Sequence, residues 1–568
     1  EEAVTRTRMT GVTAALALGL AASLGTANDA AATGRTAPGQ VALTQTAPSQ
    51  AASQAPSQAS SASAPAAQRP ASTLQVSPRR FVGGQALTFS GRLSRAAGRD
   101  LKLQRLYNRP GDSWVTLPGK VGRADGEGSY RFVHPAPSNY KVRYRVKAVG
   151  GPVSPAVRFE ARQQELALSL DGGPAQRGGS VVSGSSFRID VDTTVTGRGD
   201  LGRPAPAFPG RSLALQQRVQ GDRWTTVDTT TASSEGTATF VRTAGDPGDT
   251  AYRVRQGAIT DGGNRIGWFP SFPLGVRVVA AGSARAAAAP SPAPSRRPVS
   301  RGSTSRAVVV SPATSARGSL GGAQAGQRYR WGPFLYDFAW EQGESLTAKP
   351  HRGERRTGQW IDRSDGSGRV APYNGGMAIS SHLSSFPGRG DRGTTSAMLS
   401  GNAMTYGRWE FRRRIDVFEK KGKNYRVKIA LVPAEPQDAR CGSINVASVG
   451  FNSRKAGLGL SSARAGKAWS GTRRIPRLGN GPHSFAVEVT RSHVTWFLDG
   501  RSLATVSGRK AAPGVPLTPK LSLVADGRKE MRRTRVLYDW QRGWHLNKQA
   551  RRAVKGPGLK AKNFSKSC

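Results

Sequence analysis

Along three long stretches of this chain apolar and polar residues alternate with a period of two, and short Gly- and Asp-rich segments interrupt the alternation. On a strand this pattern puts the apolar set on one face, so each stretch predicts β-structure with one buried face. The first, residues 75–161, contains Ala86-Leu87-Thr88-Phe89-Ser90-Gly91-Arg92-Leu93, Leu101-Lys102-Leu103-Gln104-Arg105 and Tyr144-Arg145-Val146-Lys147-Ala148. The second, residues 165–280, repeats it. Leu213-Ala214-Leu215-Gln216-Gln217 echoes residues 101–105, Trp224 echoes Trp114, and Tyr252-Arg253-Val254 echoes Tyr144-Arg145-Val146. The preserved order predicts two tandem β-sandwich modules. The third, residues 326–546, carries longer runs, including Tyr406-Gly407-Arg408-Trp409-Glu410-Phe411-Arg412 and Val494-Thr495-Trp496-Phe497-Leu498-Asp499-Gly500. The predicted fold class is all-β throughout.

Four segments lack the alternation. In residues 1–32, Arg6 and Arg8 precede an apolar run from Gly11 to Leu24, and small residues follow from Ala27 to Ala32. That is the layout of a signal peptide, too short for an ordinary spanning helix, with an uncleaved anchor as the alternative. Residues 33–74 are Ala, Ser, Pro, Gln and Thr, a composition that predicts a disordered linker. Residues 281–325 predict a second, basic disordered linker that separates the module pair from the C-terminal domain. Residues 547–568 predict a solvated basic tail.

Composition sharpens the choice of partner. The 568 residues exceed one core, and 84 Lys+Arg against 36 Asp+Glu give a net charge of +48. Such an excess points to a polyanionic surrounding. The basic residues are spread along the chain and no nucleic-acid motif accompanies them, so nucleic acid is not the expected partner. The expected location is secreted or cell-surface, associated with the cell wall.

The stretch on which function turns is Leu431-Val432-Pro433-Ala434-Glu435-Pro436 followed by Cys441-Gly442-Ser443-Ile444-Asn445-Val446-Ala447-Ser448-Val449-Gly450-Phe451. Ser443 and Asn445 are two apart and share a face. Ser448 falls on the opposite face unless one residue is inserted as a β-bulge. With a bulge near Val446-Ala447, three polar side chains line one concave surface.

That spacing resembles the Glu-x-Asp-x-x-Glu motif of glycoside hydrolase family 16, the laminarinase and lichenase group of concanavalin A-like jelly rolls. In that family the outer carboxylates are the nucleophile and the general acid/base. Here the matching positions are Ser443, Asn445 and Ser448, and Val432 stands where the family has a Trp before the Pro. Further segments resemble the family in order: Tyr406 to Ile415, the run His483 to Thr490, Val494 to Gly500, and Val536 to Trp540. The resemblance covers roughly residues 328 to 545 and implies an antiparallel jelly roll with a degenerate catalytic motif. The modules before it resemble bacterial immunoglobulin-like or fibronectin-like units.

A neutral Ser/Asn/Ser trio has no charge to stabilise an oxocarbenium ion, and an unactivated Ser is a poor nucleophile. The expectation is a non-catalytic carbohydrate-binding or wall-associated protein whose partner is polysaccharide or anionic envelope polymer. Trp360, Tyr373 and Trp469 are its candidate sugar-stacking residues. The competing expectation is an active glycosidase with relocated carboxylates, for which Glu410, Glu419 and Glu435 are nearest. No metal or cofactor is expected, because Cys and His show no ligand spacing. His483 and His493 are expected to be structural. Trp114 and Trp224 are sugar-stacking or core residues, with the core favoured. Cys441 and Cys568 are a permitted disulfide in an exported protein, or an unpaired thiol pair.

Overall fold

The computed structural model describes residues 71–107, 113–195, 205–282, 324–340, 346, 357–381, 393–435, 442–546, 556–558 and 564–565, apart from short interruptions at 118, 140, 174, 176, 220–222, 367, 419–421, 464–465, 509–510 and 527–528. The expected signal segment, most of both expected linkers, Glu419, Cys441 and Cys568 lie outside them. Among the described residues no helix is long and apolar enough to cross a membrane.

Each of the first two stretches forms a two-sheet sandwich. In the first, strands Gln75–Ser77, Ala86–Arg92 and Ser129–Pro135 face a sheet built on Asp100–Tyr107 and Val142–Ala148. Leu87, Phe89, Leu101, Leu103, Tyr144 and Val146 fill the space between. In the second, Ala167–Leu170, Ser186–Asp192 and Thr237–Thr243 face a sheet built on Ser212–Val219 and Gly248–Gln256. The repeat extends to single hydrogen bonds. Arg145 Nε donates to Gln104 Oε1 at 2.8 Å, and Arg253 Nε to Gln216 Oε1 at 2.9 Å. Val146 N donates to Ser154 Oγ and Val254 N to Ser271 Oγ, both at 2.9 Å. The paired tryptophans are half-buried rather than in the core: Arg145 lies 4.1 Å over Trp114, and Arg253 4.3 Å over Trp224.

The second module packs directly on the C-terminal domain, so the 281–325 segment does not hold them apart. Arg253 Nη1 meets Asp362 Oδ2 at 2.8 Å, and Arg369 Nη2 donates to Glu165 Oε2 at 2.8 Å. Arg369 also stacks 3.9 Å over Phe272, and Ala371 joins the second module's core. The C-terminal domain begins inside the expected linker: Ala325 is fully buried at the start of helix α1 (Ala325–Arg328).

That domain is a two-sheet antiparallel jelly roll. One sheet has the order β1-β2-β7-β3-β4-β5-β6-β8, where β1 is Gln359–Asp362, β2 Thr395–Ser400, β3 Arg426–Pro433, β4 Ile444–Gly450, β5 Lys455–Ser462, β6 Lys467–Arg474, β7 Leu517–Val524 and β8 Phe564–Ser565. The facing sheet includes Thr534–Trp544, Gly407–Val417, His483–Val489 and His493–Leu498. One core joins them, with Leu399, Ile429, Leu431, Ile444, Leu458 and Leu521 from the first sheet meeting Trp409, Phe411, Phe485, Val487 and Trp496 from the second. Both sharp hairpins in the facing sheet use left-handed residue pairs, Asn374-Gly375 (φ 44 and 70) and Asp499-Gly500 (φ 48 and 71). That backbone suits a two-residue turn between twisted strands and favours Asn-Gly and Asp-Gly. The basic tail is not wholly free: β8 pairs with β6, and Gly556 N donates to Thr505 Oγ1 at 2.6 Å.

Candidate functional site

The open face of the first sheet carries the polar residues of interest, and its register shows why. On β3 the residues Val427, Ile429 and Leu431 enter the core, so Lys428, Ala430 and Val432 point outward. Lys428 pairs with Ser448, and Ala430 with Asn445. Across β4 and β5, Asn445 pairs with Gly459 and Ser448 with Gly457, so Val446 and Ala447 together oppose a single residue. This is a β-bulge. Ile444, Val446, Ala447 and Val449 stay buried while Ser443, Asn445 and Ser448 share the half-exposed face.

The three polar residues are held differently. Ser443 Oγ lies 2.9 Å from Ser461 Oγ, which also accepts from Ser443 N at 2.8 Å and Gly442 N at 3.1 Å. Asn445 Nδ2 donates to the Gly457 carbonyl at 3.1 Å, which orients the amide and leaves Oδ1 just beneath the surface with no donor. The Asn445 carbonyl accepts from Trp496 Nε1 at 3.0 Å, tying the bulge to the facing sheet. The hydroxyl of Ser448 has no partner among the described residues and is half-exposed.

Among the described strand residues no carboxylate points to this face. Within β1–β7 the one acidic residue is Asp362, two along from Trp360, on the strand side that faces the core and the second module. Cations stand there instead: Lys428 and Lys520 near the middle, and Arg426, Lys455 and Arg474 toward one end. Lys520 on β7 pairs with Ala430, and Lys428 pairs with Ser522, so the lysines are diagonal neighbours about 7–8 Å apart in backbone spacing. Neither has an ion-pair partner among the described residues.

The three aromatic candidates are elsewhere. Trp360 and Trp469 are 1% and 3% exposed in the inter-sheet core, so neither offers a ring face to a sugar. Trp469 packs 5.8 Å from Trp496. Tyr373 belongs to the facing sheet, under Arg535 at 4.0 Å. Period two on β1 and β6 could have flagged the tryptophans, since Ile361 and Ser470 flank them on the opposite side. The lysines were legible only as part of the Arg426-Val427-Lys428-Ile429 and Lys520-Leu521-Ser522-Leu523 alternations.

Of the alternative carboxylates, Glu410 is accounted for by packing, and Glu419 lies outside the described residues. Glu410 is fully buried on the far side of the facing sheet. It accepts from Ala325 N at 2.6 Å, Gly326 N at 3.1 Å and Ser484 Oγ at 2.7 Å, fastening helix α1. Desolvation raises its pKa above the ordinary value, against these hydrogen bonds, which lower it. Glu435 is exposed just past the end of β3. His483 bridges Asp499 and the Leu478 carbonyl at 2.8 Å each, and His493 Nε2 lies 3.0 Å from Glu488 Oε1; both order the facing sheet.

Among solved structures, the chain is similar to a laminarinase from Flavobacterium sp. UMI-01, at 14% identity over 38% of this chain and 100% of that one, with a TM-score of 0.29. It is also similar to Bacillus licheniformis β-glucanase, at 16% identity over 34% of this chain and 95% of that one, with a TM-score of 0.26. A mutant of SCLam, a non-specific endo-β-1,3(4)-glucanase from family GH16, matches at 11% identity over 38% and 95% of the two chains, with a TM-score of 0.30. No protein-family model matches the chain, and no curated protein sequence does.

Proposed function

We propose that the chain is an exported, non-catalytic carbohydrate-binding protein of the cell envelope, and that the open face of its jelly roll is the binding surface. One observation carries this reading: no carboxylate from β1–β7 reaches the face where the motif resemblance puts the reacting sugar. Retaining hydrolysis needs a nucleophile and a proton donor, two carboxyl groups about 5–5.5 Å apart. Ser443 is hydrogen-bonded to another hydroxyl, and among the described residues no His or carboxylate hydrogen-bonds Ser448 to activate it. What remains is a polar, half-exposed surface floored by small residues, which suits binding by hydrogen bonds. The net charge of +48 supports retention on anionic envelope polymer.

The test is incubation with β-1,3- and mixed-linkage glucans and with isolated envelope polysaccharide, scoring cleavage and retention separately. Retention without cleavage is expected. It should weaken as salt rises, because exposed charges are screened beyond about 8 Å at physiological ionic strength. Robust cleavage by the unmodified protein that persists in Ser443→Ala and Ser448→Ala would overturn the reading.

A further inference from the structure

We infer that the open face takes an acidic polysaccharide, one bearing anionic groups on its sugar rings, with Lys428 and Lys520 as the residues that read the charge. This rests on the carbohydrate-binding reading above and names its ligand class.

Cross-strand pairing lays the face out as two adjacent rows. One runs Met398, Lys520, Ala430, Asn445, Gly459, Ser470. The next runs Ser522, Lys428, Ser448, Gly457, Thr472. Each row therefore has an ammonium, a polar residue of the degenerate motif (separated from it by Ala430 in the first row), then bare glycine backbone, then a hydroxyl. A chain lying along the rows would meet these groups in turn.

The chemistry favours a ligand that is both anionic and hydroxylated. The lysines offer only N–H donors, and no acid on β1–β7 shares their face. Lys428 and Lys520, on neighbouring strands and without an acidic partner among the described residues, repel each other, and an anion between them removes that cost; Arg426, Lys455 and Arg474 add to the positive charge of the face. The partnerless Ser448 hydroxyl both donates and accepts, which matches sugar hydroxyls. A polymer of phosphodiesters alone would satisfy the lysines and leave that hydroxyl less well used. Gly457 and Gly459 keep the floor low. A Cβ built on Gly457 meets nothing closer than the Ser448 Cβ at 3.5 Å, an ordinary contact, so a side chain there fits the fold while standing up into the face.

The experiment uses the full chain at physiological ionic strength, with polygalacturonate, the neutral β-1,3-glucan laminarin and polyglycerol phosphate as probes. Polygalacturonate is expected to bind at least about tenfold more tightly than laminarin. The pair Lys428→Gln with Lys520→Gln should lose about tenfold on polygalacturonate and little on laminarin. A control pair of exposed cations in the first module, Lys102→Gln with Arg131→Gln, removes the same charge and should change neither. Gly457→Val should weaken polygalacturonate and laminarin together. If the control pair loses as much as the lysine pair, the attraction is that of the whole chain and the assignment is wrong. If laminarin binds as tightly as polygalacturonate and Gly457→Val still blocks it, the acidic class fails while the carbohydrate reading stands. If polyglycerol phosphate binds as tightly as polygalacturonate through the same lysines, the sugar requirement fails. If Gly457→Val changes no binding, the face is not the site and both readings fail.

Discussion

Replacing Glu410 with alanine separates a relocated active site from a structural carboxylate. In the folded protein this side chain takes hydrogen bonds from the amides of Ala325 and Gly326 and from the Ser484 hydroxyl. Glu410→Ala leaves both amides without an acceptor under a buried helix start, at about 1–3 kcal/mol each, while the Ser484 hydroxyl rotates to another acceptor. Removing a carboxylate that burial disfavours returns part of that loss. The net expectation is about 2–4 kcal/mol, and for a domain of this size roughly 4–16 °C in melting temperature. The pH dependence follows from the sign of the shift. Burial raises the Glu410 pKa above its ordinary 4.5, so the folded state holds this proton more tightly than the unfolded chain. Its contribution is complete below that ordinary value and is lost as pH rises through the raised one. A stability curve of the wild type should therefore fall over that window more than that of Glu410→Gln. Differential scanning calorimetry of the full chain across pH measures both effects. An unchanged melting temperature, together with loss of a glucan-cleaving activity present in the parent, would refute the structural account and restore Glu410 as a catalytic candidate.

Trp360→Ala should cost about 3–5 kcal/mol in urea denaturation, as for any large core side chain, while sugar retention per folded molecule stays unchanged. Arg369→Ala strands the partly buried Glu165 carboxylate and should cost about 3–5 kcal/mol, read as faster hydrogen exchange at Phe269–Pro270 and Arg369–Tyr373. Restoring carboxylates with Ser443→Glu, Asn445→Asp and Ser448→Glu together should give trace glucan hydrolysis where the parent gives none, because the bulge already sets all three on one face; identical activity in both would argue against a retired active site.

Much of the architecture was present in the linear pattern. Period two predicted the β-sandwich modules, the repeated Leu-x-Leu-Gln and Tyr-Arg-Val runs their tandem arrangement, and the jelly roll followed from the ordered family resemblance of the C-terminal segments. The spacing of Ser443, Asn445 and Ser448 even required the bulge that the register contains. Local spacing suffices for these features because a strand puts every second side chain on one face. Which face is buried, and against what, is decided by elements far apart in sequence. Trp360 and Trp469 fill the space between two sheets, and only the facing sheet makes them core. Glu410 owes its buried state to a helix start some eighty residues away in the chain. Lys428 and Lys520 come from separate runs, each readable as an ordinary solvated strand position, and become neighbours only when β7 pairs with β3. The second module likewise contacts the jelly roll through Arg253 and Arg369, although the intervening segment reads as a spacer. A linear pattern determines which side of its own strand a residue takes; the partner strand and the opposing sheet decide whether that side is core, interface or binding surface.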